Sequence, residues 1–300
     1  MATPEFPAFD QEGPGVKREF RLRTLIVPLS MILIHLLVID IVANFYVQSY
    51  PWLSSLLGWQ DHSSSLATMD IQDLILNDYP RISVFYGLFL IPLYSLILFF
   101  RRLNQRDAIW LKKPDKKHLL PALILSIGLL GVTNLLFSGL MILGDSVPAV
   151  ERLMADYLEQ AEAFSPALGY GWLIAGITIL APLSEELLFR GIIQGELRRA
   201  MPEWLAVVIQ AALFAVFHMQ AIQVLYVFLP ALALGAMYAV TRSFWVPVLM
   251  HVVFNFLGSV VPAMLNGQDN LIQIVVWTEV ACAVISVGVI SYLRHQHQRG

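Results

Sequence analysis

The sequence has little of what a disulfide-linked or water-soluble domain needs. Cys282 is the only cysteine, so no disulfide can form within the chain. Only 14% of the residues are charged, whereas soluble domains carry about 25%. The net charge of -3 gives no overall positive field of the kind that nucleic-acid-binding proteins use to attract phosphates. These absences exclude a disulfide scaffold and predict no nucleic-acid partner.

Apolar residues make up 57% of the chain and occur in long runs. A helix needs about 20 mostly apolar residues to cross a bilayer. The first run is too long for a signal peptide, so we interpret it as a retained helix. The runs predict about eight transmembrane helices, near residues 24–47, 82–100, 120–143, 169–189, 204–220, 222–241, 244–262 and 271–293.

The distribution of Lys and Arg predicts the orientation of these helices, because basic residues concentrate in cytoplasmic loops. With the N-terminus inside, sixteen of the nineteen basic residues lie in cytoplasmic segments, and only Arg81 and Arg152 lie in outer ones. We therefore predict an all-α polytopic membrane protein with cytoplasmic N and C termini, in a bacterial inner membrane. The outer segment near 144–168 is predicted to contain a short interfacial helix, since its apolar residues recur at helical spacing.

The ends of these runs divide the chain into four parts. Residues 1–23 are predicted to be a cytoplasmic tail, and residues 24–168 to hold the first three helices with the outer loops. Residues 169–262 hold helices four to seven, and residues 263–300 hold the eighth helix and a cytoplasmic tail. We find no internal repeat and no separate soluble domain.

Ionisable and amide side chains at membrane depth are costly unless they pair, so each is a candidate functional residue. One set is regularly spaced in helices four, five and seven: Glu185, Glu186, Arg190, His218, His251 and Asn255. A second set is scattered over the first and last helices: His35, Asp40 and Glu279. For the second set we expect packing against cavities or headgroups rather than catalysis.

The spacing of the first set predicts how its members act. Glu186 and Arg190 are four residues apart on one helical face, where a charge-assisted pair can form. Glu185 is rotated about 100° from Glu186 and remains available as a proton acceptor. Counting helical rise places Glu185, His218 and His251 at one level, roughly 10–15 Å deep. The alternative is a helix end whose charges reach the headgroups.

Three motifs in this region resemble those of the CAAX-protease and bacteriocin-processing (CPBP) family. They are Glu-Glu-x-x-x-Arg at 185–190, Phe-x-x-x-His at 214–218 and His-x-x-x-Asn at 251–255, in that order. The resemblance covers about residues 169–262 and includes the approach residues Gly235, Tyr238, Thr241, Ser243, Trp245 and Pro247. The sequence departs from the family at Arg242, where a small residue is usual.

The resemblance implies a role for each residue. Glu185 and His218 would activate a water, and His251 and Asn255 would hold the oxyanion. Glu186 and Arg190 would form the supporting pair. The implied activity is intramembrane cleavage of a membrane-associated peptide or protein in the lipid bilayer, by analogy the removal of a C-terminal tripeptide from prenylated CAAX proteins.

Other protease chemistries and functions fit the sequence less well. It has no His-Glu-x-x-His motif of zinc proteases and no Gly-x-Ser-Gly of rhomboid-like serine proteases. We expect no required cofactor, with zinc on Glu185, His218 and His251 as an open alternative, because those ligand types suit catalytic zinc. A transporter would usually show repeats with broken helices. A non-catalytic scaffold or bacteriocin-immunity protein would be expected to lose one of the six polar residues.

Overall fold

The computed structural model describes residues 18–58, 71–104, 109–161 and 168–299. Within these ranges the chain forms helices and turns, and the one β-type pairing is an isolated bridge between Leu111 and Ser243. The described helices are α1 (Arg23–Leu57), α2 (Ile71–Asn77), α3 (Tyr79–Asn104), α4 (Lys116–Gly144), α5 (Pro148–Ala161), α6 (Tyr170–Leu197), α7 (Glu203–Phe217), α8 (Ala221–Thr241), α9 (Trp245–Met264) and α10 (Asp269–Arg299). The predicted all-α class is confirmed.

Seven of the described helices are long and apolar enough to cross a membrane: α1, α3, α4, α6, α8, α9 and α10. The predicted fifth transmembrane helix corresponds to α7, which is apolar but has only 15 residues. At 1.5 Å per residue α7 is about 22 Å long, shorter than a hydrocarbon core of about 30 Å. The chain is therefore an integral membrane protein, and one of its apolar helices is too short for a full crossing.

The short α7 ends at a tight turn into α8. Met219 in this turn adopts a left-handed conformation with φ 52°, which reverses the chain. The Gln220 side chain then accepts a 2.7 Å hydrogen bond from the Gln223 backbone N–H and caps α8. This local chemistry ends α7 at Phe217, although the apolar sequence continues beyond the turn.

The α7–α8 turn lies beside the middle of α6 rather than at its end. Arg190 on α6 donates to the backbone oxygen of Ala231 on α8 at 3.1 Å. From this contact α8 runs back ten residues to Ala221, about 15 Å, whereas α6 runs back twenty residues to Tyr170, about 30 Å. The turn thus ends well short of the start of α6, and its residues can face the interior of the helix bundle.

The helix predicted in the outer segment between the third and fourth apolar runs is α5. Met154 is buried, whereas Leu153 and Leu158 on the same helix are exposed. The Tyr157 ring lies 5.2 Å from Phe137 of α4 and 6.0 Å from Tyr226 of α8, measured between ring centroids. These aromatic contacts hold α5 against α4 and α8.

Three arginines surround Glu196 near the end of α6, two of them from distant parts of the chain. The Glu196 carboxylate lies 3.0 Å from Arg23 of α1 and 3.9 Å from Arg199, and Arg101 of α3 donates to it. The start of α1 and the ends of α3 and α6 therefore meet at one end of the bundle, which we call the basic end. The positive-inside rule predicts that the basic end faces the cytoplasm.

The basic end also contains the residue that departs from the family pattern. Arg242 adopts the left-handed conformation with φ 48°, which costs a side-chain-bearing residue about 1–2 kcal/mol. A small residue such as glycine avoids this cost. The guanidinium of Arg242 lies 5.3 Å from the Trp110 ring centroid, and a cation–π contact offsets part of the strain.

The orientation can be tested by labelling single cysteines on a Cys282→Ser background. In right-side-out vesicles, a membrane-impermeant maleimide should label Glu151→Cys, an exposed position on α5, without permeabilisation. Lys113→Cys, which follows α3 and precedes α4, should react only after permeabilisation. The reverse pattern would show that the basic end faces outward and that the predicted topology is wrong.

Candidate active site

Glu185 and Glu186 lie on a short α-helical stretch of α6, Ala181–Glu186, between two π-helical stretches, Ile174–Leu180 and Leu187–Gln194. A π-helical turn contains more residues than an α-helical turn, so it changes the direction of the side chains around it. Such turns are frequent at functional sites. Glu186 is fully buried, whereas Glu185 lines a cavity. The neighbouring carboxylates therefore occupy different environments.

Pro182 explains how α9 is attached to this part of α6. The Ala181 backbone N–H bonds to the oxygen of Gly176, five residues earlier, as in a π-helix. The next bond of this pattern would join residue 182 to Ile177, but proline has no N–H. The Asn255 side chain takes that place and donates to the Ile177 oxygen at 2.9 Å. The second N–H of the Asn255 amide is not needed for this contact.

Glu186 is the centre of a buried group that joins three helices. Its Oε1 lies 2.9 Å from Arg190 Nη1, with both side chains fully buried, and 2.8 Å from His251 Nδ1 on α9. The Arg190 contact is a close ion pair without the direction of a hydrogen bond. Arg190 also donates through Nη2 to the Ala231 oxygen on α8. The predicted Glu186–Arg190 pair is thus present, and it also orients His251.

His251 connects the buried pair to the neighbouring carboxylate. Because an ionised carboxylate only accepts hydrogen bonds, His251 Nδ1 carries a proton toward Glu186. The other ring nitrogen, Nε2, lies 3.7 Å from Glu185 Oε2. This distance is too long for a direct hydrogen bond, so Glu185 and His251 face each other but are not directly bonded.

Phe214 positions His218 through both its backbone and its ring. The Phe214 oxygen lies 2.8 Å from His218 Nδ1, and since a carbonyl only accepts, Nδ1 carries the proton and Nε2 is left as an acceptor. The Phe214 ring centroid lies 4.9 Å from that of His218 and 5.9 Å from that of His251. Arg190 lies on the same ring at 5.1 Å. The Phe214 ring therefore contacts Arg190 and both histidines.

Four of the six candidate residues line one cavity of about 580 Å³: Glu185, His218, His251 and Asn255. Glu186 and Arg190 do not line it. The rest of the wall is mostly apolar and comes from α1, α3, α4, α8 and α10 as well as the helices that carry the four residues. A largely apolar cavity with a few convergent polar groups is the usual form of a ligand site.

Zinc bound by Glu185, His218 and His251 is the alternative that the sequence left open. Glu185, His218 and His251 offer suitable donor types, but among the residues that the structure describes, no three His, Cys, Asp or Glu side chains are grouped closely enough to hold a metal ion. These residues as placed therefore do not fit a zinc coordination sphere. The expectation of a cofactor-free enzyme stays a prediction.

The second set of membrane-depth residues is distributed as follows. His35 on α1 is buried with its ring 5.0 Å from Phe217 and 5.9 Å from Tyr94. Asp40 is exposed and accepts from Asn44 at 3.2 Å on the same helix. Glu279 on α10 is buried and lines the same cavity as Glu185.

Two tyrosines near Glu185 were not among the candidates from the sequence. Tyr79 and Tyr86 on α3 line the cavity, and both phenols lie within electrostatic range of the Glu185 carboxylate. They are seven residues apart, or about two helical turns, and so share one face. That spacing could have indicated that the two tyrosines share a site, but an aromatic pair on one helix face is more often part of an ordinary core.

Comparison with known proteins agrees with the motif pattern. Residues 167–257 match the model of a family described as Type II CAAX prenyl endopeptidase Rce1-like. The match contains all six candidate residues and ends two residues after Asn255. No curated protein and no solved structure matches the chain.

Replacing Glu186 should mainly destabilise the protein. Glu186→Gln leaves Arg190 as an unpaired buried charge, and breaking a buried pair in this way costs about 3–5 kcal/mol. We expect a lower unfolding temperature and yield in detergent. The double variant Glu186→Gln with Arg190→Met should recover part of the loss, because neither charge is left alone. A single variant as stable as the parent would show that the pair does not support the fold.

Proposed function

We propose that this chain is a glutamate-dependent intramembrane endopeptidase of the CAAX-processing type. The observation that carries the proposal is the convergence of Glu185, His218, His251 and Asn255, from α6, the α7–α8 turn and α9, on one cavity inside the helix bundle. The family match over residues 167–257 supports the same activity class. The substrate would be a membrane-associated peptide or protein, with a prenylated C-terminus as the first candidate.

The water would be activated between Glu185 and His218. The Glu185 carboxylate and the Nε2 atom of His218 are both acceptors, so together they can orient a water and remove its proton. Its oxygen then bonds to the carbonyl carbon of the scissile peptide. Glu185 returns the proton to the amide nitrogen as the carbon–nitrogen bond breaks, which restores the carboxylate and releases an acid and an amine.

The oxyanion of this intermediate would be stabilised from α9. His251 keeps its Nδ1 proton toward Glu186, so its Nε2 would donate to the oxyanion in the form of the ring that also carries a proton on Nε2. Asn255 can offer the amide N–H that is not bonded to Ile177. Donors that are already oriented before the reaction stabilise developing charge most effectively. Glu186, Arg190 and Pro182 are positioning residues in this scheme.

Glu185→Gln should abolish most cleavage without unfolding the protein. The substitution keeps the shape of the side chain but removes the base, which typically contributes about 10²- to 10⁴-fold in rate. The assay is turnover of a farnesylated peptide by protein purified in detergent, with the unfolding temperature measured in parallel. Glu159→Gln, an exposed carboxylate on α5, is the matched control and should cleave normally. Near-normal cleavage by Glu185→Gln would refute the proposed mechanism.

Activity should survive a chelator. The expectation rests on side-chain placement, because no three His, Cys, Asp or Glu side chains among the described residues are grouped closely enough to hold a metal ion. Dialysis against a chelator should leave turnover within about twofold of the untreated protein. Loss of activity that is restored by stoichiometric zinc would show that the chemistry depends on a metal.

A further inference from the structure

The cavity contains a second group of polar side chains, Asn134 and Glu279, on the side formed by α4 and α10. Glu279 on α10 accepts a 2.5 Å hydrogen bond from the side-chain amide of Asn134 on α4. Both residues line the same cavity as Glu185, and Glu279 is only 4% exposed. Their neighbours in the wall are largely apolar and aromatic, including Phe137, Tyr157 and Tyr226.

A stripe of small residues on α4 fixes this pair in place. A Cβ at Gly131 would lie 2.3 Å from the backbone oxygen of Glu279, and one at Gly128 would lie 2.4 Å from Ser286 Oγ. Only glycine permits α4 and α10 to approach this closely, as is common between membrane helices. Asn134 follows Gly131 by three residues, on the same face, and therefore meets the Glu279 side chain.

Among the residues that the structure describes, no cation contacts Glu279, and in this it differs from the buried carboxylates Glu186, Asp78 and Glu196. Glu186 is paired with Arg190, Asp78 with Arg81, and Glu196 with several arginines. Within the described residues, the neighbour that interacts with the Glu279 carboxyl is the neutral Asn134 amide. Ionisable groups at membrane depth normally pair with another polar or charged group, and a cationic group of a ligand in the cavity would give the Glu279 carboxylate an oppositely charged partner.

Glu185 and Glu279 lie at different levels of the cavity. Tyr170 donates to the Ala263 oxygen at 3.2 Å, so α6 starts beside the end of α9, shortly before α10 begins. Glu279 is ten residues into α10, about 15 Å, and Glu185 is fifteen residues into α6, about 22 Å. A substrate strand that runs along the helix axes covers this difference in level of about 7 Å with two or three extended residues, at about 3.3 Å per residue.

We propose that Glu279, oriented by Asn134, is a specificity subsite that binds a positively charged side chain of the peptide substrate two or three residues from the scissile bond. The proposal rests on the function proposed above and adds the charge of the substrate residue at that position. A fixed carboxylate in an apolar wall stabilises a bound cationic side chain. An apolar side chain at the same place would leave the carboxylate without a partner, so the site would bind cationic residues more tightly than apolar ones.

Binding to the Glu185→Gln protein separates recognition from cleavage. The probes are farnesylated peptides in which one position at a time is varied, within three residues of the scissile bond. The varied residue is lysine, acetyl-lysine or norleucine. At one position, two or three residues from that bond, lysine should bind about 10- to 100-fold tighter than either neutral residue, as expected for a hydrogen bond to a charged group. Adding Glu279→Gln should reduce the preference to within about threefold, because glutamine keeps the Asn134 contact but lacks the charge.

Two further variants control for structural damage. Glu279→Asp keeps the charge and should keep a preference for lysine over acetyl-lysine. Asp40→Asn alters the carboxylate that is paired with Asn44 on α1, away from the cavity, and should leave the preference unchanged. The unfolding temperature of every variant is measured in parallel. The acetyl-lysine probe tests the charge without any change at Glu279, so the experiment does not depend on how well Glu279→Gln folds.

The outcomes distinguish this proposal from the proposed function. Equal binding of the lysine and neutral peptides at every position, together with normal cleavage by the parent protein, would overturn the subsite and leave the protease assignment intact. A lysine preference that persists in Glu279→Gln would also overturn it. If the parent protein neither bound nor cleaved any of the peptides, both proposals would be wrong.

Discussion

The free-energy cost of charge inside a bilayer governs this site. The Glu186 carboxyl group lies in the fully buried interior, where Arg190 and His251 both contact it and compensate for the loss of water. This buried group joins α6, α8 and α9, since Arg190 also reaches the Ala231 oxygen. With Glu186 engaged in this way, Glu185 is free to face the cavity. The supporting role of one glutamate therefore makes a chemical role for the other possible.

Departures from regular helix geometry bring the remaining groups together. The π-helical stretches around Ala181–Glu186 and the missing N–H of Pro182 leave the Ile177 oxygen open for Asn255. The early end of α7 places His218 beside the middle of α6, where its Nδ1 is bound by the Phe214 oxygen. A bundle of uniform, full-length α-helices would have given neither the open carbonyl nor the turn at this depth.

Each of the three sequence motifs corresponds to particular contacts in the structure. In Glu-Glu-x-x-x-Arg, the second glutamate and the arginine form the ion pair. In Phe-x-x-x-His, the phenylalanine supplies the carbonyl that sets the tautomer of His218 and the ring that lies beside Arg190 and His251. In His-x-x-x-Asn, both side chains reach α6, one at Glu186 and the other at Ile177. Each motif therefore supplies at least one contact to a neighbouring helix, and the first two motifs add a contact within their own segment.

The sequence by itself determined the all-α membrane class, the approximate helix positions and the pairing of Glu186 with Arg190, because apolar run length and four-residue spacing are local properties. The apolar runs predicted the end of the fifth helix at residue 220, close to Phe217 where α7 ends, but they did not show that the α7–α8 turn lies beside the middle of α6. Only the tertiary structure decided that His251 contacts Glu186, that Asn255 contacts Ile177 and that Glu279 meets Asn134 in the cavity. Those contacts depend on how each helix is rotated and shifted against its neighbours, and periodicity within one helix does not fix either quantity.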